Sequence, residues 1–478
     1  MNVVLICSDQ HNKEITGCYG NENAYTPNLD ALADKGVVFD NAYTACPICM
    51  PARASLATGQ YSFRGRWWDN AHPYNGELDS FGKLLGENNI EVTTIGKLHF
   101  KDDSAVTGFA DQIIPMHAAK GGIGEPSQCL RNNTILKPQQ RKGIENAGPG
   151  ETDYSRYDRM VADRAREFIL NRSNPVNNDP WLLYVGFVDP HPPFKAPQNW
   201  FDFYKDKNLP MPRQYSCAGR PMHPVLESIR RFNELQDEFD EATIQKMIRT
   251  YYAKVSFLDE QIGEVMKALR ESGRDRDTMV IYLSDHGENL GNHGLWYKQT
   301  MYEESAGIPL IISGPGIPEG QRRKTVTNIV DIFPTVLSAF GVDVPKCDGG
   351  SLIKIAEGEE DLNRYTFSEF HACGATEDIY MIRKGQYKYV YYHHMPVQLF
   401  DLSEDPHELI DISRTPQGRE KVLELNNILE ELLDPNEIDV ECRKDQGYIV
   451  SMFGEKNSVS ADVLWTSSET PVPKEYLK

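Results

Sequence analysis

Three apolar runs of strand length in this chain each stop on an aspartate: Val3–Ser8 before Asp9, Trp181–Val188 before Asp189, and Met279–Ser284 before Asp285. A run that is apolar throughout, without alternation, suits a strand covered on both faces, the condition of a parallel sheet inside an α/β layer. Val37–Ala42, Val92–Ile95 and Pro309–Ser313 carry further strand patterns. Helical patterns lie between them. One opens at Pro27 behind a Thr26 N-cap, with Leu29, Leu32 and Ala33 on one face, and a long one runs from Glu241 to Ser272. Strands alternating with helices predict an α/β fold with a large, mostly parallel sheet sandwiched by helices. Ligands in such sheets gather at the carboxyl ends of the strands, so the three aspartates mark a candidate site.

The chain has 478 residues, too many for one ordinary domain. Composition shifts near Pro345–Ser351, after a helix-like Val330–Phe340. Short strands Ile379–Arg383, Tyr387–Tyr392 and Val397–Asp401 follow, then a helix around Arg419–Leu433. We therefore expect a catalytic α/β domain over 1–345 and a smaller C-terminal α+β domain with a tail over 346–478. Lys137–Asp153, rich in Gly, Gln and charge, reads as an exposed loop. The stretch from about Arg443 reads as a tail packed on the body or on a partner subunit, which leaves room for a homo-oligomer.

A formal charge of −20 argues against nucleic acid as a partner and mildly disfavours a large polyanionic substrate. No apolar run approaches the roughly 18 residues of a membrane span, so no membrane partner is expected. The opening MNVVLICSDQ enters a strand pattern at once, without a basic segment or cleavage site, which points to the cytoplasm. Nine scattered cysteines suit reduced thiols better than a disulfide framework. Asn132-Asn133-Thr134 and Asn171-Arg172-Ser173 match a glycosylation pattern that carries no weight in such a compartment.

The most specific signal is Cys49-Met50-Pro51-Ala52-Arg53, continuing to Leu56-Ala57-Thr58-Gly59. Cys46 and Cys49 form a CxxC, but there is no second pair for zinc and no thioredoxin-like context. The extended stretch resembles the signature of the formylglycine-dependent sulfatases, in which the cysteine becomes an aldehyde and starts a helix. Asp9-Gln10 resembles the family's first metal-binding pair. Asp285-His286, in Leu-Ser-Asp-His-Gly-Glu-Asn, resembles the second, in the form found in choline-sulfatase-like and phosphonate-monoester-hydrolase-like branches. Acids at two strand ends supply hard oxygen ligands and an imidazole adds a nitrogen. The resemblance thus implies one divalent cation, calcium first with manganese or magnesium as rivals, held by Asp9, Gln10, Cys49, Asp285 and His286. Gln10 is the weakest of the set, because its amide suits an outer hydrogen bond as well.

Lys97-Leu98-His99 resembles the family's G-K-x-H element, and strand alternation would place Lys97 and His99 on one face. His191, in Asp189-Pro190-His191-Pro192-Pro193, and Lys298, in Gly294-Leu295-Trp296-Tyr297-Lys298, resemble two further family positions. The implied chemistry starts from a hydrated aldehyde at position 49, whose one hydroxyl attacks sulfur and whose other expels sulfate. Arg53, Lys97 and Lys298 would balance the sulfuryl oxygens, His191 would face the leaving oxygen, and His99 would take a proton. A formylglycine-generating maturation enzyme and a small sulfated substrate are the implied partners. The rival is a phosphonate monoester or phosphodiester hydrolase on the same scaffold, a branch without the lysine and histidine of G-K-x-H. His293 is a candidate for the pocket wall. So is Arg66–Asn70, whose Trp67 and Trp68 read as core packing before a cation–π surface.

Overall fold

The computed structural model describes residues 1–131, 138–172, 179–216, 222–452 and 472–477. Its main sheet has, in chain order, β1 (Asn2–Asp9), β2 (Gly36–Phe39), β3 (Glu91–Lys97), β4 (Asp111–Met116), β5 (Trp181–Pro190), β6 (Thr278–Ser284), β7 (Leu310–Ser313) and β8 (Gln321–Arg323). Their spatial order is β8-β2-β7-β6-β1-β5-β3-β4. Neighbours are parallel except at β7, which runs antiparallel to both β2 and β6. β1 lies at the centre, pairing Val3 with Leu182 of β5 and with Met279 of β6.

The continuous apolar runs are explained by the two covered faces. Val3, Leu5 and Cys7 of β1 join one buried cluster, and Val4 and Ile6 join another. The first cluster takes in α2 (Cys49–Thr58) through Ala52 and Leu56. The second is covered by α1 (Pro27–Asp34), α3 (Asp153–Asn171) and α4 (Glu241–Ser272). The bounds of α4 match the sequence reading residue for residue. Asp240 caps its start by accepting the Thr243 N–H at 2.7 Å, and Gly273 ends it at φ 70°.

A second sheet, antiparallel and four-stranded, holds β9 (Tyr365–Phe370), β10 (Ile379–Lys384), β11 (Tyr387–Tyr392) and β12 (Gln398–Asp401) in sequential order. Helices α5 (Pro416–Leu432) and α6 (Pro435–Met452) accompany it. This is the smaller α+β part read from the sequence, with β9 and α6 added. One hydrophobic cluster runs from Val3 and Leu5 through Phe367 and Tyr380 to Leu425 and Leu429, so the second sheet packs on the core of the first.

Three local readings need correction. Thr26 holds the N-cap position of α1 as read, but its side chain makes no capping bond: its hydroxyl accepts from Gly17 N at 2.8 Å and donates to Asp30 at 3.2 Å, tying down the preceding turn. The stretch read as a loop contains a helix at Pro138–Glu145 and a short strand at Gly148–Pro149, because Ile144 and Ala147 are buried against Phe194 and Tyr204; Lys137 lies outside the described residues. From Arg443 the chain is helical to Met452, with Cys442 and Gln446 buried on the body, and 453–471 lie outside the described residues. The glycosylation pattern at Asn132 and Ser173 of the other also lie outside them. No described helix is long and apolar enough to cross a membrane.

Candidate active site at the strand ends

Asp9 is the last residue of β1 and Asp285 follows the last residue of β6, where Ser8 pairs with Ser284. Two neighbouring parallel strands therefore deliver two carboxylates to one spot. Cys49 is the first residue of α2, and a β-region Ile48 turns the chain into that helix. The donor atoms of Asp9, Cys49, Asp285 and His286 all lie within 4.8 Å of one another, and all four residues are buried. Cys49 Sγ is 3.3 Å from His286 Nε2 and 3.6 Å from Asp9 Oδ1. His286 Nε2 is 3.7 Å from Asp9 Oδ1 and 3.6 Å from Asp285 Oδ1.

These separations are those that adjacent ligands adopt around one cation with bonds of about 2.0–2.6 Å. The tautomer agrees. His286 Nδ1 lies 3.1 Å from Gly287 O, a carbonyl that can only accept, so the proton sits on Nδ1 and Nε2 offers a lone pair inward. The donor set of two carboxylates, one imidazole and residue 49 fits a divalent cation.

The outer oxygens of both aspartates face positive charge. Asp9 Oδ2 accepts from Lys97 Nζ at 2.6 Å and Arg53 Nη2 at 3.3 Å, and Asp285 Oδ2 from Arg53 Nε at 2.8 Å. Arg53 gives Nη1 to Lys97 O at 2.7 Å and Tyr184 OH at 3.1 Å. With its donors so directed, Arg53 acts through the two carboxylates; the expected contact of its guanidinium with a sulfuryl oxygen is not what this geometry serves. Burial raises Asp9, but Lys97, His191, Lys298 and Arg53 outweigh it and hold the carboxyl well below its usual range. Asp285 is pushed up by burial and by Asp9 beside it. Burial, with Lys97 or Lys298 nearby, depresses His99, His191 and His286. Burial and Asp9 push the Cys49 thiol up to about 12.

Lys97 and His99 both border the narrow cavity of about 30 Å³ above Cys49, as do Gln10, His191 and Lys298. Strand alternation is not how they meet. β3 ends at Lys97, and His99 enters at φ 62°, with its N–H on Met116 O at 2.8 Å. The approach needs glycine: a Cβ on Gly96 (φ 96°) would lie 2.2 Å from Gly186 O, and one on Gly186 would lie 2.2 Å from Lys97 O. Lys298 Nζ donates to Cys49 Sγ at 3.0 Å and to Gln10 Oε1 at 2.9 Å. Gln10 Nε2 donates to Glu288 Oε2 at 2.5 Å, so both ends of the amide expected among the metal ligands are engaged, by Glu288 and Lys298. His191 Nδ1 is 2.7 Å from Pro192 O, which leaves Nε2 as the free-facing nitrogen.

Asp189, the third strand-end aspartate, does not join the cluster. Lys254 from α4 takes it as a buried ion pair, and Asp158 beneath accepts the Val188 and Asp189 N–H groups at 2.9 and 2.8 Å. His293 is buried, stacked on Tyr302 with centroids 4.0 Å apart, and does not line the cavity. Trp67 and Trp68 are core residues, while Asn70 from the same stretch reaches the cavity and accepts Met50 N at 3.0 Å. The sequence reading missed Glu125, Gln128, Gln140, Asn233, Tyr297 and Gln299, which complete the wall. Tyr297 and Gln299 flank Lys298 and could have been found by that adjacency; the others carry no local signal. A larger groove of about 510 Å³, lined by Glu14, Tyr19, Arg213 and His407 among others, holds none of these groups.

Residues 1–342 match the sulfatase family, and residues 291–434 match the C-terminal region of N-sulphoglucosamine sulphohydrolase. The chain is 32% identical to a choline-sulfatase of Rhizobium meliloti over 87% of its own length and 83% of the relative's. Its fold is similar to that of a protein solved in complex with its substrate D-glucosamine-2-N,6-O-disulfate, with a TM-score of 0.72, 24% identity and coverage of 93% and 98%. The phosphonate monoester hydrolase of Agrobacterium radiobacter is similar too, with a TM-score of 0.67, 26% identity and coverage of 93% and 96%. With the family match spanning the strand-end aspartates, the helix that opens at Cys49 and the Lys298 loop, this chain belongs to the sulfatase family.

Proposed function

We propose that the chain hydrolyses the sulfate monoester of a small alcohol or phenol, using formylglycine made from Cys49 by a maturation enzyme. The observation that supports it most is the convergence of position 49, at a helix start, with Asp9, Asp285, His286 and Lys298. A hydrated aldehyde at that position supplies two hydroxyls on one carbon, one to take up the sulfuryl group and one whose deprotonation releases sulfate. A divalent cation between Asp9, Asp285, His286 and residue 49, with calcium the first candidate, would acidify the attacking hydroxyl and offset negative charge.

The chain's own side chains do the rest. Lys97 and Lys298 bring two ammonium groups beside residue 49 to meet the sulfuryl oxygens, and Arg53 keeps the two carboxylates aimed inward. Gln10 holds Lys298. His191 gives a proton to the leaving oxygen, and the negative charge of a bound ester opposes the burial that depresses it. His99 takes the proton from the remaining hydroxyl.

The second reading is a phosphonate monoester or phosphodiester hydrolase, supported by the similarity to the Agrobacterium enzyme. Lys97 and His99, both at the cavity, favour sulfate. The test takes protein made with a maturation enzyme, weighs the Cys49 peptide, and compares kcat/KM on matched aryl sulfate and phosphodiester. Aldehyde at position 49 and a preference for sulfate are expected. Full activity with plain cysteine would end the formylglycine reading, and preference for the phosphodiester would favour the rival.

A further inference from the structure

Glu288 lies behind the pocket, fully buried, and touches neither residue 49 nor the cavity. Its Oε1 accepts the N–H groups of Leu290 at 2.9 Å and Tyr297 at 2.6 Å, and its Oε2 accepts Gln10 Nε2 at 2.5 Å. Each of these three partners is a donor. On the far side of the same amide, Gln10 Oε1 accepts Lys298 Nζ at 2.9 Å, and that ammonium continues to Cys49 Sγ at 3.0 Å. The two ends of an amide are nearly alike in shape, so its orientation is set by its partners. Here the partners leave one solution. An ammonium has no lone pair to offer, so the amide oxygen faces Lys298 and the NH2 is left to Glu288, whose Oε2 accepts it.

We propose that Glu288 is a positioning residue: it orients the amide of Gln10 so that the amide oxygen holds Lys298 against residue 49. The proposal rests on the sulfatase reading of the pocket for its kinetic readout, and on hydrogen-bond chemistry alone for its structural one. Glu288→Gln changes one atom and reverses the wire. The Leu290 and Tyr297 N–H groups keep the new side chain's oxygen, so its NH2 faces Gln10. Gln10 must then turn its oxygen outward and its NH2 toward Lys298, donor against donor.

The experiment is a swap of carboxylate and amide between the two positions, with E288Q, Q10E and the double variant Q10E/E288Q. Loss of a partner of this kind typically costs about 10–100-fold. E288Q is expected to lower kcat on an aryl sulfate by that factor, with little change in KM. Q10E places two carboxylates face to face and is expected to be damaged as well. The double variant puts a carboxylate at position 10, able to accept from both the new amide at position 288 and Lys298, and is expected to recover to within a few-fold of wild type. Crystal structures of the same variants read the geometry without turnover: the Lys298 contact to residue 10 should be lost in E288Q and restored in the double. A folded E288Q with wild-type kcat and an unmoved Lys298, or a double variant no better than the worse single, overturns the proposal. If E288Q does not fold, the double variant must fold and turn over, and its failure overturns the proposal too. If wild type cleaves no sulfate ester, the sulfatase reading falls, and the Lys298 positions still decide the role of Glu288.

Discussion

Two fully buried charge clusters in this molecule are built from the same kinds of side chain and differ in how they face. Between β9, β10 and α6, His371 Nδ1 lies 2.9 Å from Asp378 Oδ1 and its Nε2 lies 2.8 Å from Glu369 Oε2. Arg131 reaches the same Asp378 oxygen at 2.5 Å. Each charge there meets its opposite. At the ends of β1 and β6 the outer carboxylate oxygens are paired in the same way, with Lys97 and Arg53. The inner atoms face no cation among the described residues: Asp9 Oδ1, Asp285 Oδ1 and His286 Nε2, three acceptors, converge around Cys49 Sγ, whose thiol has one proton to give. Both clusters perturb their titrating groups strongly, so perturbation alone does not tell a site from a strut. The direction of the lone pairs does. Converging acceptors leave work for a cation, and paired charges hold the fold.

The comparison is broken most directly by exchanging the effects. Lys97→Ala and His99→Ala should lower kcat/KM on an aryl sulfate by about 10²–10³-fold for the lysine and up to about 10⁴-fold for the histidine. Retention of a phosphodiesterase activity within a few-fold in both would move the assignment to the rival. The melting temperature should stay near wild type in His99→Ala, whereas Lys97→Ala also takes a buried partner from Asp9 and should lose stability along with turnover.

Asp378→Ala should do the reverse. It takes from Arg131 and from a protonated His371 one of the two carboxylates each of them meets in the interior, which costs about 3–5 kcal/mol by denaturant titration. Molecules that remain folded should keep wild-type kcat. A mild loss of stability with a large loss of turnover would make this cluster part of the site.

The same cluster should write itself into the pH dependence of stability. Burial lowers His371, but Asp378 and Glu369 outweigh it and hold the imidazolium to about 9 against 6.5 for a free histidine. A folded pKa above the unfolded one means the stabilisation is complete below about 6.5 and is lost as pH rises through about 9. The shift amounts to roughly 3 kcal/mol. The stability difference between wild type and His371→Gln should therefore be largest near pH 6 and shrink by most of that amount by about pH 9.5. A difference independent of pH would mean that His371 is not charged in the fold.

The smallest effect concerns the converging acceptors. Calcium at about 100 times its Kd should raise stability over chelator-treated protein by about 2.7 kcal/mol. The gain should survive in Lys388→Met, a lysine whose partners are Glu303 and Glu408, and vanish in Asp9→Asn. A gain that survives Asp9→Asn would place the cation elsewhere.

Much of the frame was legible because its signals are local. The helix over Glu241–Ser272 shows its period, its Asp240 cap and its Gly273 stop within its own residues. The apolar strands announce a sheet covered on both faces, and Cys49 through Gly59 announces its chemistry in one stretch. Other features had no such signal. Asp189 follows its strand as Asp9 and Asp285 follow theirs, and only Lys254, packed down from α4, decides that it is a strut. His99 and Gln10 sit at φ 62° and 67°, and Tyr297 and Gln299 at 63° and 83°, backbone states that local pattern does not predict for such residues.

By itself the sequence determined the kinds of groups and the order in which strands and helices present them: a cysteine at a helix start, carboxylates at strand ends, lysines and histidines nearby. Periodicity and motif chemistry act over a few residues, and those decisions lie within that range. Which oxygen of each carboxylate faces inward was decided only by the tertiary structure. Asp9 takes Arg53 and Lys97 on one oxygen and faces Cys49 and His286 with the other, and those partners come from three separate parts of the chain. A carboxylate has two equivalent oxygens until packing puts cations on one of them, and that difference leaves the other to face Cys49 and His286.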